Sequence, residues 1–299
     1  MIDMRPWLIL GGYGQLGTAL QKELTNRNIA FQAYSSTEID IRDFINVKNK
    51  LFSLNPRVII NCAGWTNVNK AEEYEKEATL INAYAAGNLA KIAQQLDSVL
   101  VQISSDYIFS GDKNSPYSVD DLADPVNAYG RSKAFGEKLI LDQSITKLYI
   151  FRTAWLYSEF GKNFVKIILQ NYIKKQFPIK VVNDQTGSPT CAFDLSFQIV
   201  ESVVQGIPFG IYHAVNLGQA TWYDLAKVAL ENLNFDTNVI KPIKYAEYES
   251  NVVRPRNSSL DMSKWENTTI PQLKIWPEAL SNKIQDIFNR VESEYSNEI

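Results

Sequence analysis

Four apolar residues, Trp7-Leu8-Ile9-Leu10, run directly into Gly11, Gly14 and Gly17, spaced G-x-x-G-x-x-G, and a helical pattern follows over residues 18–26. Strand, glycine turn and helix in that order leave few folds open. Without side chains in the turn, backbone amides approach a pyrophosphate at the positive end of the helix, so the natural ligand is a dinucleotide. The same glycines also serve to pack a helix closely onto a strand. The rest of the chain has to decide between the two roles.

A second apolar stretch at residues 29–34 completes a βαβ unit. Further apolar runs at 57–61, 99–104 and 147–151 are separated by segments of helical spacing such as 78–96. This alternation predicts an α/β chain built on a Rossmann-type doubly wound parallel sheet. After Trp155 the rhythm changes: Pro178, Pro189, Pro208, Pro242 and Pro255 interrupt shorter elements, predicting a smaller α/β C-terminal lobe for the substrate. The expected division is 1–153 for the dinucleotide-binding domain and 154–299 mainly for the substrate lobe, with segments near 188–214 and 256–268 returning to the first. The Glu-rich end, 292–299, reads as a fraying terminus.

With 299 residues, 45% of them hydrophobic, the chain can bury a substantial core. A net charge of −3 gives no bulk attraction to nucleic acid or to an anionic membrane. The opening apolar run is too short for a signal core or a membrane span. Cys62 and Cys191 have neither metal-ligand spacing nor the density of a disulfide framework, which predicts reduced thiols in a cytoplasm.

Tyr129 and Lys133 stand four residues apart in Tyr129-Gly130-Arg131-Ser132-Lys133, which puts both on one face of a helix. A nearby ammonium favours the phenolate, so Lys133 is expected to draw Tyr129 towards a proton affinity useful near neutrality while also holding a ribose. Such a pair alone is more often a solvated surface pair. Here, however, Ser104-Ser105-Asp106-Tyr107 directly follows the run 99–103, at the carboxyl end of a strand, where ligands bind in open α/β sheets. Ser105, with Ser104 as the competing assignment, is expected to hydrogen-bond a substrate carbonyl and orient Tyr129. Asp106 and Tyr107 either meet sugar hydroxyls or serve as turn formers.

The end of the second strand carries Tyr34, Ser35, Ser36 and Thr37 instead of the acid that would select a free ribose 2′-hydroxyl. The hydroxyls accept a 2′-phosphate, but no arginine stands beside them to clamp it. NADPH is therefore the expected cofactor, with NADH also used. His213, in an apolar run, reads as structural, and Trp222, Tyr223 and Trp265 read as packing. Arg254 and Arg256 are candidates for an outer phosphate.

Together the motifs resemble the dTDP-4-dehydrorhamnose reductase family of extended short-chain dehydrogenases. The residues that carry the resemblance are Gly11-Gly12-Tyr13-Gly14-Gln15-Leu16-Gly17, Asn61-Cys62-Ala63-Gly64-Trp65-Thr66, Lys70-Ala71-Glu72, Ser105-Asp106-Tyr107-Ile108-Phe109 and Tyr129-Gly130-Arg131-Ser132-Lys133. Arg152-Thr153-Ala154-Trp155, the stretch from Asn183 to Thr190, and Arg254-Pro255-Arg256-Asn257-Ser258 extend it over nearly the whole chain. The resemblance implies a catalytic set of Ser105, Tyr129 and Lys133, with Ser105 where the family usually has threonine. It also implies cofactor contacts at Asp40, Ile41, Ala63 and Gly64, beside those expected from the glycine turn, the strand end and the helix, namely Gly11, Gly14, Gln15, Leu16, Gly17, Ser35 and Lys133. Substrate contacts are implied at Val68, Asp106, Tyr107 and Trp155, to which the phosphate candidate Arg254 is added.

The implied reaction is NAD(P)H-driven reduction of the C4 ketone of a dTDP-linked 4-keto-6-deoxy sugar to dTDP-L-rhamnose, with the proton from Tyr129. Trp65 and Asn69 replace the more usual His and Asp, which keeps a 6-deoxytalose-type or other deoxysugar ketoreductase open, alongside a regulatory subunit without catalysis. Some members form a dimer bridged by metal through a glutamate after the Pro-Thr pair. Here Pro189-Thr190 is followed by Cys191-Ala192-Phe193, so no metal site is expected and a homodimer stays open.

Overall fold

The protein, described from a computed structural model over residues 5–296, centres on six parallel strands. In chain order the first half contains β1 (Trp7–Leu10), α1 (Gln15–Asn26), β2 (Phe31–Tyr34), α2 (Phe44–Leu54), β3 (Val58–Asn61), α3 (Val68–Glu73) and α4 (Glu75–Thr79). A π-helical turn at Leu80–Tyr84 leads into α5 (Ala85–Gln95), β4 (Val99–Ser105), α6 (Ala128–Leu141) and β5 (Leu148–Thr153). The second half contains β6 (Leu156–Tyr157), α7 (Phe164–Ile173), β7 (Ile179–Val182), β8 (Thr186–Gly187), β9 (Thr190–Cys191) and α8 (Ala192–Gln205). It continues with β10 (Gly210–His213), β11 (Ala220–Thr221), α9 (Trp222–Glu231), β12 (Ile240–Ile243), α10 (Trp276–Ser281) and α11 (Ile284–Ser296).

The sheet order is β2-β1-β3-β4-β5-β10, with every adjacent pair parallel. Period-two alternation divides each central strand between two cores. Trp7 and Ile9 of β1, with Tyr149 and Phe151 of β5, face one helix layer. Leu8 and Leu10, with Leu148 and Ile150, face the other. The chain leaves β1 for β2 on one side and returns to β3 on the other, so a crevice opens at their carboxyl ends, beyond Leu10 and Asn61.

The sixth strand, β10, comes from the second half and pairs with β5 from Gly210↔Tyr149 to His213↔Arg152. Helix α8 packs on α1, where Arg27 pairs with both Glu23 at 2.5 Å and Glu201 at 2.6 Å. Trp265 is buried in the same core as Leu195 and Ile199 of α8. A separate core gathers α7, β7, α9, α10 and α11 around Leu169, Leu225 and Ile287. The expected fraying end is instead helical through Ser296, because Ile287 and Val291 bury one face of α11; residues 297–299 lie outside the described part. No helix among the described residues is long and apolar enough to cross a membrane.

Candidate active site

At the turn after β1, Gly11 adopts φ 72°, and a Cβ there would lie 2.7 Å from the Ala63 amide nitrogen; glycine lets this turn pack against the end of β3. Gly17 seats α1 on the same turn, since a Cβ there would lie 2.4 Å from the Gly11 carbonyl oxygen. Gly14, by contrast, has only the Gly11 oxygen near its missing Cβ, at 3.5 Å. As N-cap of α1, Gly14 supplies no side chain to the helix end, and the first turn carries no acid. The amides of Gln15, Leu16 and Gly17 are thereby left for an anion, and the donor set fits a pyrophosphate.

The crevice is one cleft of about 970 Å³. It gathers Gly11, Gly14, Gln15, Leu16, Gly17, Ser35, Asp40, Ile41, Ala63 and Gly64 at one end. Ser105, Asp106, Tyr107, Tyr129, Lys133, Val68 and Trp155 line the remainder. Arg254 stands against this wall at Tyr107. Its guanidinium bonds Asn69 Oδ1 at 2.5 Å, Ser250 Oγ at 2.7 Å and Tyr245 Oη at 3.3 Å, next to Tyr107.

Asn127 caps α6, its side chain accepting from Gly130 N at 2.8 Å, while Glu72 accepts from Ala128 N at 2.7 Å. These two bonds fix the turn that presents Tyr129. One turn on, Lys133 is buried and its Nζ donates to Ile103 O at 3.2 Å, close to Gly64, where a Cβ would lie 3.2 Å away. The ends of β3 and β4 thus approach one ammonium. Burial lowers Lys133 to about 8, against the raising effect of the Glu137 carboxylate. Burial also pushes the Tyr129 phenol up to about 12, opposed by a hydrogen bond with the Ser105 hydroxyl. Lys133 was expected to depress this proton affinity; burial sets it instead, and the phenol holds its proton at neutral pH.

The two serines of the β4 end face different partners. Ser105 Oγ donates to Asp106 Oδ1 at 2.9 Å and accepts from Tyr107 N at 3.2 Å, beside Tyr129. Ser104 Oγ donates to Glu137 Oε1 at 2.5 Å. Glu137 in turn pairs with Arg152 at 2.8 Å in a buried ion pair that ties α6 to β5. Burial pushes Asp106 up to about 6. His213 is pushed down to about 3 by burial and by the nearby Arg152, and its Nδ1 meets Asp261 O at 3.1 Å, which fits a neutral structural imidazole.

Sequence reasoning missed several residues here. Arg42 lines the same cleft as Ser35 and Ser36, an arginine that the reading of the strand end left out. Its place after Asp40-Ile41 was visible, but that this loop joins the cleft wall was not. Asn82, on the π-helical turn, accepts from Trp65 N at 2.9 Å and donates to Trp65 O at 3.0 Å, holding the loop after β3 beside the cleft. An asparagine within the helical run 78–96 was the signal available. Trp222, read as packing, also forms cleft wall, stacked on Trp155 with ring centroids 3.5 Å apart. Among the described residues no group of three or more His, Cys, Asp or Glu side chains is placed to hold a metal ion.

A dTDP-4-keto-6-deoxy-D-glucose reductase of Streptomyces niveus is 35% identical over 92% of this chain and 95% of its own length. A dTDP-4-dehydrorhamnose reductase of Streptomyces griseus is 34% identical, covering 95% and 94% respectively. The crystal structure of a dTDP-4-dehydrorhamnose reductase from Bacillus anthracis, in complex with NADP, superposes with a TM-score of 0.90 at 33% identity, covering 94% of this chain and 99% of that one. The family described as the RmlD substrate binding domain matches residues 4–289, and the chain belongs to that family.

Proposed function

We propose that this protein is an NADPH-dependent reductase of a dTDP-linked 4-keto-6-deoxy sugar, forming dTDP-L-rhamnose from dTDP-4-dehydro-6-deoxy-L-mannose. One observation carries the reading: the uncapped amides of the glycine turn and the Ser105–Tyr129–Lys133 set line one continuous cleft. The relatives that act on dTDP-linked 4-keto sugars, and the neighbour crystallised with NADP, support the substrate and cofactor classes.

When bound, NADPH supplies the hydride to C4. The chain supplies the proton and the geometry. Tyr129, held protonated by burial, donates to the developing alkoxide oxygen. The Ser105 hydroxyl turns from Asp106 to the same oxygen, since its rotor is free to re-aim. Lys133 places an ammonium nearby that favours release of the phenolic proton as charge develops. Asp106, Tyr107, Val68 and Trp155 are assigned to the sugar, Arg254 beside Tyr107 to an outer phosphate of the substrate, and Gly11, Gly14, Gln15, Leu16, Gly17, Ser35, Asp40, Ile41, Ala63, Gly64 and Lys133 to the cofactor. Two free cysteines, Cys62 and Cys191, support a reducing, cytoplasmic setting.

A different sugar is the second reading. Trp65 and Asn69 lie by the pocket, where Asn69 is tied to Arg254, and a change of partner there alters which hydroxyl orientation is accepted. The test is oxidation of NADPH with enzymatically prepared dTDP-4-keto-L-rhamnose, followed in the absorbance of the reduced nicotinamide, with the product identified by NMR. Turnover to dTDP-L-rhamnose is expected. A folded sample that binds NADPH but leaves this ketone untouched while reducing another dTDP-4-keto sugar would transfer the assignment to the second reading.

A further inference from the structure

NADPH differs from NADH by a phosphate on the adenosine ribose 2′-oxygen, and its recognition needs a cation or donors on the protein. In a Rossmann-type fold that recognition is decided around the end of β2. No acid occupies the end of the strand itself, where Tyr34 stands. The two carboxylates that follow are both engaged. Glu38 accepts from Ser35 N at 2.8 Å and from Ser35 Oγ at 2.7 Å. Asp40 accepts from Arg42 Nε at 2.9 Å and Nη2 at 2.6 Å, and from the Arg42 backbone N at 3.0 Å. Each interaction holds its carboxyl below the usual range, so both remain acceptors already in use. Neither is a free partner for a ribose 2′-hydroxyl.

The arginine is differently placed. Asp40 takes Nε–H and one Nη2–H, leaving both Nη1–H groups and the second Nη2–H to point elsewhere. Arg42 lines the cleft together with Ser35, Ser36, Ile39 and Asp40. The Asp40 contact restricts its long side chain, so less freedom is lost when the fork meets a ligand. Asp43, next in the chain, is turned to the Asn46 amide as the cap of α2, and Glu38 and Lys50 are also close by. Lys50 acts on Glu38 and lies over the Tyr34 ring at 5.3 Å, which offsets the negative charge nearest Ser35.

We infer that Arg42, held by Asp40 in the loop after β2 where it lines the cleft, clamps the 2′-phosphate of NADPH and sets the preference for it over NADH. The inference rests on the dinucleotide cleft of the proposed function, and its test does not involve the sugar. NADPH and NADH are each titrated into the wild-type protein and into Arg42→Met, with binding followed by the fluorescence of the reduced nicotinamide. Loss of a charge-assisted contact is expected to weaken NADPH about tenfold or more and leave NADH within about twofold.

Equal weakening of both cofactors, or no change in either, would overturn the inference while leaving cofactor binding intact. Lys50→Met provides the control: an NADPH-specific loss there instead would move the clamp to α2. If the wild type, shown by circular dichroism to be folded, bound neither cofactor, the reductase reading itself would fall.

Discussion

At the level of single residues the site depends on burial more than on pairing. Tyr129 and Lys133 are both displaced from their ordinary proton affinities towards the neutral form, Tyr129 upwards and Lys133 downwards, because each is enclosed. A phenol that keeps its proton suits an acid that gives it up only as charge develops on the substrate oxygen. Tyr129→Phe is therefore expected to lower turnover by about two orders of magnitude or more while NADPH affinity is retained. Single-turnover rates beside a binding titration check this, and unchanged turnover would remove Tyr129 from the chemistry. Lys133 makes the pH dependence specific. Its pKa is lowered to about 8, so the ammonium is present below that pH and is lost as pH rises through it. The free-enzyme profile of kcat/KM is expected to fall on the alkaline side near pH 8. A profile flat to about pH 10, where an ordinary lysine titrates, would mean that Lys133 does not act through its charge.

The elements explain why the glycines are not interchangeable. Gly17 has no room, since its missing Cβ would meet the carbonyl oxygens of Gly11 and Gly12 at 2.4 and 2.5 Å. Gly14 has room, with only one atom at 3.5 Å. Gly17→Ala is thus expected to destabilise the fold by about 1–3 kcal/mol through overpacking. Gly14→Ala is expected to leave the melting temperature nearly unchanged and weaken NADPH by crowding the phosphate approach. Melting curves and cofactor titrations of the two variants should separate packing from binding, and identical behaviour would show that the turn is purely structural. The strands were legible because their apolar runs are short and flanked by breaks. The exact start of α1 at Gln15 was not, because the glycine spacing hides three helical residues before the pattern at 18–26 begins. The π-helical turn at Leu80–Tyr84 was also hidden, since its sequence carries ordinary helical spacing and the extra residue is decided by Asn82 reaching the loop after β3.

Across the whole molecule, the site is a meeting of two halves. Trp155 leaves β5 with φ 44°, a left-handed backbone that a bulky side chain rarely adopts. It is held there from both sides: Gly187 has no side chain to intrude on its ring, and Trp222 of α9 stacks on it nearly parallel, at 8°. Removing the stacking partner should free the wall of the sugar end without touching the glycine turn. Trp222→Leu is expected to raise the KM for the keto sugar about threefold to tenfold, leaving the NADPH dissociation constant within about twofold. Matching losses for sugar and cofactor would assign Trp222 to general packing.

The sequence by itself determined the glycine turn, the alternation that gives a doubly wound sheet, and the Tyr129–Lys133 spacing, because each is a local pattern read along a few consecutive residues. Only the tertiary structure decided that β10 completes the sheet, that Ser105 rather than Ser104 faces Tyr129, that Arg42 joins the cleft that Ser35 and Ser36 also line, and that Arg254 binds Asn69 next to Tyr107. Each of these is set by which distant segments share a buried surface, and by the need to pair every charge and hydroxyl enclosed there.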